Sequence, residues 1–425
     1  MPKKLVDDCF LHDSDRMRHD EVVTVLRDRV VPVTAAETVA LAQAIGRTLA
    51  SGAVARQPVP GHTNAAVDGY AFAQADYAGD GGAMLPVSAR ISAGHPLREP
   101  VAAGTAVRIF TGAVMPGGLD TTAMQEDCEV LDGGARVRVP AGLKKGANVR
   151  KAGEDVAQGA TLLEAGHIVR PQDLAALASI GLGEVECRKR LRVAIVSTGD
   201  EVIRPGSRPL APGEVYDANA PMLRALAGLA GCEVHDLGVW PDRAEEVRAR
   251  LVDAAASHDV ILTSGGASKG EEDHLVGALD TIGKRHVWQL AIKPGRPMMF
   301  GQIGDTVMVG LPGNPVAVFV CFLLYVYPLL RRLGGASWPE PRRLMLPAAF
   351  EFPKRKTGRR EFWRGMLVEG KGGLAVEKYA RDGSGLISGL RAADGLIDIV
   401  EDVPEVNRGD LVPFIPFTEF GILGR

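Results

Sequence analysis

The 425-residue sequence is poor in aromatic residues, has five cysteines and lacks any apolar run long enough to be a membrane span. Aromatics at 5% give few platforms on which bases could stack. The net charge of −3 provides no basic field, so no nucleic-acid partner is expected. Cys9, Cys128, Cys187, Cys232 and Cys321 are scattered, odd in number and never spaced C-x-x-C. That excludes a disulfide framework and a structural zinc site, and it points to a reducing cytoplasm. The most apolar stretch, "PVAVFVCFLLYVYPLL" from Pro315 to Leu330, falls short of the ~20 residues a bilayer requires, and Pro328 interrupts it. A buried core helix is expected there, and no membrane partner. The N-terminal "MPKKLVDDCFLHDSDRMRHD" has no apolar core and does not read as a signal peptide. Neither G-x-x-x-x-G-K-[ST] nor G-x-G-x-x-G occurs, which removes the common nucleotide loops.

What remains is ordinary globular composition, 46% apolar and 24% charged, in a chain long enough for two to four domains. Residues 20 to 50 read as two helices, the second opened by a capping box at "TAAE", Thr34 to Glu37. From Ala55 to about Arg150, short β-like runs alternate with Gly- and Pro-rich turns, and "RPQDLAALASIGL" then resumes a helical pattern. The economical reading is a β insertion in an elongated helical N-terminal domain. After the charged hinge "ECRKR", Glu186 to Arg190, strands alternate with helices through "LRVAIVST", "CEVHDLG", "DVILTS" and "TVMVG". That rhythm predicts a central α/β domain on a parallel sheet, whose ligands sit beyond the carboxyl ends of the strands. From about Pro339 five short strands suggest a small C-terminal β barrel or sandwich.

Chemistry-bearing turns gather at that carboxyl edge. The first strand runs into "STGDE", where Ser197, Thr198 and Gly199 offer donors. The third runs into "TSGGASKGEED", with Ser264, Gly265 and Gly266. Glycine lets backbone amides approach an anion closely, although each turn taken alone is more often only a turn. "LPGNPVA" places Pro312, Gly313 and Asn314 at a helix start, either an anion site or simply a capped helix. Lys293 and Arg296 flank a Pro-Gly turn between apolar runs, where a cation needs an anion or an internal carboxylate such as Glu201 or Asp273. Glu201, Asp242 and Asp273 each follow a strand with no His or Cys beside them. Hard oxygen donors of this kind favour Mg²⁺ together with a substrate phosphate. Asp68, Thr111 and their neighbours in "TNAAVDGYAF" and "IFTGAVMPGG" read locally as turns.

Taken in order, "NAAVDGYA", "IFTGAVMPGG", "STGDE", "YDANAPML", "TSGGASKGEEDH", "AIKPGRP", "GLPGNPV", "FWRG" and "GSGLISGL" resemble the molybdopterin molybdotransferases, the family that includes the C-terminal domain of gephyrin. The resemblance covers nearly the whole chain. It implies an N-terminal domain of residues 1–55 and 145–187, a β insertion at 56–144, a molybdopterin-binding α/β domain at 188–338 and a C-terminal barrel at 339–425. It implies the Mg²⁺-dependent conversion of adenylylated molybdopterin and molybdate to molybdenum cofactor and AMP. It also implies a homodimer in which the insertion of one subunit meets the α/β domain of the other, giving Asp68 and Thr111 a catalytic role. On the same ground Lys293, Arg296, Arg364 and Ser384 would bind molybdate, Ser264, Gly265 and Gly266 would cradle the pterin phosphate, and Glu201, Asp242 and Asp273 would hold the metal. The chain departs from the family pattern at Gln289, where a cation is usual, at Arg296, at Ala317, and at Thr121 and Thr122. Molybdopterin adenylylation and a non-catalytic dimeric scaffold are the competing readings.

Overall fold

The computed structural model describes residues 16–77, 81–265, 274–370 and 372–424. Its centre is a six-stranded sheet in the order Glu233–Trp240, Arg192–Thr198, Val260–Ser264, Thr306–Leu311, Pro297–Ile303, Lys284–Gln289. The first four strands are parallel, as the alternation of strands and helices predicts. Pro297–Ile303 runs antiparallel to both its neighbours, so the sheet is mixed rather than wholly parallel. The reason is chain length. Only Gly304 and Asp305 separate Ile303 from Thr306, room for a hairpin and not for a crossover. Alternate residues of the central strands pack into two cores. Val193, Ile195, Leu262 and Val309 face the helices Asn219–Leu229 and Pro315–Cys321. Ala194, Val196, Ile261 and Met308 face the helices Ala244–Ser257 and His274–Ile282.

The apolar stretch after Pro315 is a core helix, as expected, and nearly every residue of it is buried. Pro328 does not end it. An α-helix at Pro315–Cys321 widens into a π turn at Phe322–Val326 and resumes as an α-helix at Tyr327–Leu333. Proline lacks the N–H that an unbroken α-helix would use, and the wider turn just before it accommodates that loss.

The N-terminal region departs from expectation. One helix forms at His19–Arg29, but the expected second helix is a strand, Ala36–Ala40, followed by a single 3₁₀ turn at Leu41–Gln43. The capping box does not form. The Thr34 hydroxyl is buried without a hydrogen-bond partner among the described residues, and Glu37 pairs with Arg47 instead. Ala36–Ala40 is taken up by pairing with Glu184–Arg188, so tertiary context overrides the local signal. With Pro171–Ser179, the described N-terminal region has two helices among short two-stranded ribbons, and it is not predominantly helical. The insertion is a six-stranded sheet with Gly69–Phe72 and Ala106–Ile109 at adjacent positions.

All five expected C-terminal strands are present: Leu344–Pro347, Arg360–Gly370, Gly373–Lys378, Gly395–Ile399 and Leu411–Pro416. The path curls back on itself where Ala348 bridges Val376, around a core that includes Phe350, Trp363, Ile397 and Phe414. A two-residue strand from the α/β domain, Ile292–Lys293, joins this sheet beside Arg360 and Glu361. That pairing sets the geometry of the cleft described next.

Candidate functional site

The strand order puts the second strand of the α/β domain on one side of the first, and the third and fourth on the other. The chain therefore reverses direction between Arg192–Thr198 and Val260–Ser264, the position where open α/β sheets bind ligands. The two strand ends meet there. A Cβ on Gly265, at φ +93°, would lie 3.0 Å from the Thr198 hydroxyl and 3.3 Å from its carbonyl, so this position requires glycine. Ser197 and Ser264 are buried and bonded inward. The Ser197 hydroxyl donates to Asp217 at 2.6 Å, and the Asn219 amide donates to the Ser264 hydroxyl and the Gly313 carbonyl, both at 2.7 Å. Asp217 also accepts from the backbone amides of Asn219 and Ala220, anchoring the start of that helix. Both hydroxyls help to fix the strand ends. Asp217 and Asn219, whose roles were not evident in the sequence, connect three strand ends.

Beside this edge lies a cleft of about 470 Å³ between the α/β and C-terminal domains. It unites residues far apart in sequence: Gly265, Lys293, Pro312, Gly313, Asn314, Arg364 and Ser384 all line it. Arg364 is 6% exposed, and its guanidinium donates to the Leu386 carbonyl at 3.0 Å and to the Arg381 carbonyl. It lies 5.0 Å from the Tyr379 ring centre, and Gly389 leaves it room, since a Cβ there would sit 2.4 Å from Arg364 Nη1. Burial pulls the guanidinium below its ordinary pKa, yet arginine keeps its charge in proteins. The result is a fixed cation in the cleft wall.

Lys293 is the more exposed cation. Among the described residues its carboxylate partner is not Glu201 but Glu361, whose Oε2 lies 3.8 Å from Lys293 Nζ. The Glu361 side chain is 2% exposed and also accepts from Trp363 Nε1 at 2.9 Å and Arg359 Nε at 3.1 Å. The turn that carries Lys293 is seated on the core helix through Gly295. That residue has φ +107°, and a Cβ on it would lie 2.3 Å from Cys321 Sγ. Trp363, Tyr379, Lys378 and Asp382 complete the wall. Sequence reasoning missed Glu361 and this aromatic wall; the only cue was a glutamate in the middle of an apolar, arginine-flanked strand.

Other expected residues lie elsewhere. Arg296 is exposed outside the cleft lining, and its Nε donates to Gln289 Oε1 at 3.1 Å. The acids stand at the far end of the same carboxyl edge. The Glu201 carboxylate lies over Gly199, with Oε2 2.6 Å from the place a Cβ on that glycine would occupy. The Asp242 amide is 3.5 Å from Asp200 Oδ1. Gly266 and Asp273 fall outside the described residues. Among the described residues, no three His, Cys, Asp or Glu side chains are grouped to hold a metal. Asp68 and Thr111 pair on the insertion sheet, away from the cleft lining. The Thr111 amide and hydroxyl donate to Asp68 Oδ1 at 2.8 and 2.7 Å, and these bonds hold the carboxyl below its ordinary pKa.

Comparison with known proteins accounts for these parts together. Residues 17–181 match the family model described as MoeA N-terminal region (domain I and II), residues 194–332 that of a probable molybdopterin binding domain, and residues 346–417 that of the MoeA C-terminal region (domain IV). The chain is 35% identical over 388 residues to a molybdopterin molybdenumtransferase of Haemophilus influenzae, covering 90% of this chain and 94% of that protein. It is 36% identical to molybdopterin molybdenumtransferase 2 of Mycobacterium tuberculosis over 92% of this chain and 96% of that one. Among solved structures, the molybdopterin biosynthesis moeA protein of Pyrococcus horikoshii superposes with a TM-score of 0.80 at 28% identity, covering 95% of this chain and 100% of that one.

Proposed function

Because the chain belongs to the molybdopterin molybdenumtransferase family, we propose that it transfers molybdenum from molybdate into adenylylated molybdopterin, releasing AMP and leaving molybdenum cofactor. The observation that carries this reading is the convergence of Lys293, Arg364 and Ser384 with Gly265, Gly313 and Asn314 on one cleft. Molybdate is a tetrahedral dianion, and it suits a fixed guanidinium, a more exposed ammonium and a hydroxyl from different segments of the chain. Arg364 is already locked by carbonyls, so little reorganisation is needed when charge arrives. The glycine-lined strand ends and the aromatic wall would receive the phosphate and the pterin. A match across all three family models favours insertion over adenylylation by the α/β domain alone.

The carboxyl-edge acids fit Mg²⁺ by donor chemistry, since Asp200, Glu201 and Asp242 are all hard oxygen ligands on neighbouring strand ends. Two loops alone do not close a cage, which suits an ion that keeps waters and shares the substrate's diphosphate. When bound it would neutralise charge on the departing AMP, and Glu201 and Asp242, with Asp273, would hold it. The Asp68–Thr111 pair keeps its carboxylate ionised and oriented, yet lies off the cleft in its own chain. We therefore propose a homodimer in which a second copy's insertion supplies this pair. The four cysteines among the described residues are free thiols, which supports the cytoplasm as the working compartment.

The test supplies purified protein with adenylylated molybdopterin, Mg²⁺ and either molybdate or tungstate, and measures AMP. Release that depends on molybdate is expected. Release no greater than in a protein-free control overturns the proposal.

A further inference from the structure

The hinge "ECRKR" plays no part in the cleft, yet it builds a second charged site. Where it enters the α/β domain, the side chains of Arg47, Arg188, Lys189, Arg190 and Arg331 line one small crevice together with Gly46, Thr48, Gly231 and Cys232. No carboxylate lines it among the described residues. That is anomalous in a chain with 49 basic and 52 acidic residues.

The guanidiniums are held in place mainly by backbone carbonyls. Arg47 donates to the Arg188 carbonyl at 2.8 Å, Arg188 to the Thr34 carbonyl at 2.9 Å, Arg190 to the Gly231 carbonyl at 3.2 Å and Arg331 to the Leu229 carbonyl at 3.0 Å. Arg188 Nε is buried with no hydrogen-bond partner among the described residues. A plainer role exists for part of this cluster, because Arg190 and Arg331 cover the end of the helix Asn219–Leu229. Magnitudes show that this role is insufficient. Glu37, the ion-pair partner of Arg47, cancels one charge. Two helix ends, at Leu229 and Leu333, offset roughly −0.5 each. About three positive charges have no carboxylate facing them in the crevice lining among the described residues, so their summed field favours an anion there. Cys232 does not supply it. Burial pushes its thiol up to about 12 despite Arg331 and Arg190 alongside.

We propose that this crevice is a binding site for a small tetrahedral oxyanion of the phosphate–sulfate–molybdate class, separate from the cleft. Size selects the class. Its volume is about 30 Å³, against about 470 Å³ for the cleft, so it suits a small ion seated at its open mouth and no nucleoside or pterin. Location gives the consequence. Arg47 belongs to the N-terminal region, Arg188 to Arg190 form the connection and Arg331 ends the core helix, so a bound anion fastens the N-terminal arm to the α/β domain. Free inorganic ions and the phosphate of a larger ligand share this chemistry, and competition separates them.

The test is calorimetric titration of full-length protein carrying Lys293→Ala, Arg364→Ala and Ser384→Ala, which removes all three oxyanion-binding groups proposed for the cleft. Sulfate, phosphate and molybdate are titrated separately at constant ionic strength. One saturable site per chain is expected for each. Adding Lys189→Glu and Arg190→Glu should weaken it at least tenfold, with an unchanged far-ultraviolet circular dichroism spectrum. If that pair does not fold, Lys189→Gln with Arg190→Gln is held to the same criterion. AMP at matched concentration should fail to displace sulfate. No saturable site in the parent, full affinity in the altered pair, or displacement by AMP would each overturn the proposal.

Discussion

Gly295→Ala should damage both the stability of the protein and its grip on molybdate, and the two causes can be separated. The added methyl would begin 2.3 Å from Cys321 Sγ and 3.2 Å from Ile292 Cδ1, in a fully buried position. Crowding of this kind costs about 1–3 kcal/mol. The backbone at φ +107° adds a second cost for any residue with a side chain, again about 1–3 kcal/mol. Removing the sulfur with Cys321→Ala relieves only the first. A double-mutant cycle in guanidinium unfolding should therefore show a favourable coupling of about 1–3 kcal/mol, while the backbone share persists in the double variant. Lys293 sits two residues before Gly295 on the same turn, so the single variant should also raise KM for molybdate in AMP release, and Cys321→Ala should restore part of it. If Gly295→Ala unfolds at the wild-type denaturant concentration, or the coupling is zero, the packing that seats Lys293 has been misread.

Gln289→Lys, which the sequence alone suggests would strengthen oxyanion binding by adding a cation, should leave the KM for molybdate unchanged. Gln289 and Arg296 bond to each other outside the cleft lining, and a lysine would face Arg296 with like charge; tighter molybdate binding would refute this placement. His19 is buried against Tyr325, with Nδ1 2.9 Å from the hydroxyl, and burial pulls its pKa down to about 4, with Arg360 contributing. The unfolded chain, with a histidine near 6.5, then binds the proton first, so stability should fall as pH drops from 6.5 towards 4, by roughly 1.4 kcal/mol per unit. His19→Gln should flatten that part of a urea-midpoint profile, and an unchanged slope would count against a buried neutral His19. Thr111→Val should raise the Asp68 pKa only part of the way to its ordinary value, because the larger contribution, the Thr111 amide, remains. Carbon-detected NMR titration of Asp68 reads this directly, and a pKa that stays put or falls would refute it.

The sequence was most legible where one local cause decides the outcome. Alternating apolar runs gave the four parallel strands, and the carboxyl-edge rule placed Gly265, Gly313 and Asn314 where they stand. It misled where a distant partner decides. "TAAE" is a sound helix start, yet pairing with Glu184–Arg188 captures the residues after it. Ser197 and Ser264 look like ligand donors, but their hydroxyls are engaged by Asp217 and Asn219, residues whose importance shows only once the strands are side by side. Lys293 was recognisable as a cation in need of an anion, whereas its partner comes from a strand 68 positions later and no local pattern points to it.

That partnership has a mechanical consequence. Lys293 is bound to both domains, through the turn seated on Cys321 and through the register that sets it beside Glu361. Arg364 and Ser384 belong to the C-terminal domain alone, and the acids Glu201 and Asp242 to the α/β sheet alone. A displacement of the C-terminal domain would therefore carry Arg364 and Ser384 away from the carboxyl edge that bears Glu201 and Asp242. On the proposed reading, the ion pair with Glu361 would couple the position of the oxyanion grip to that of the acid edge.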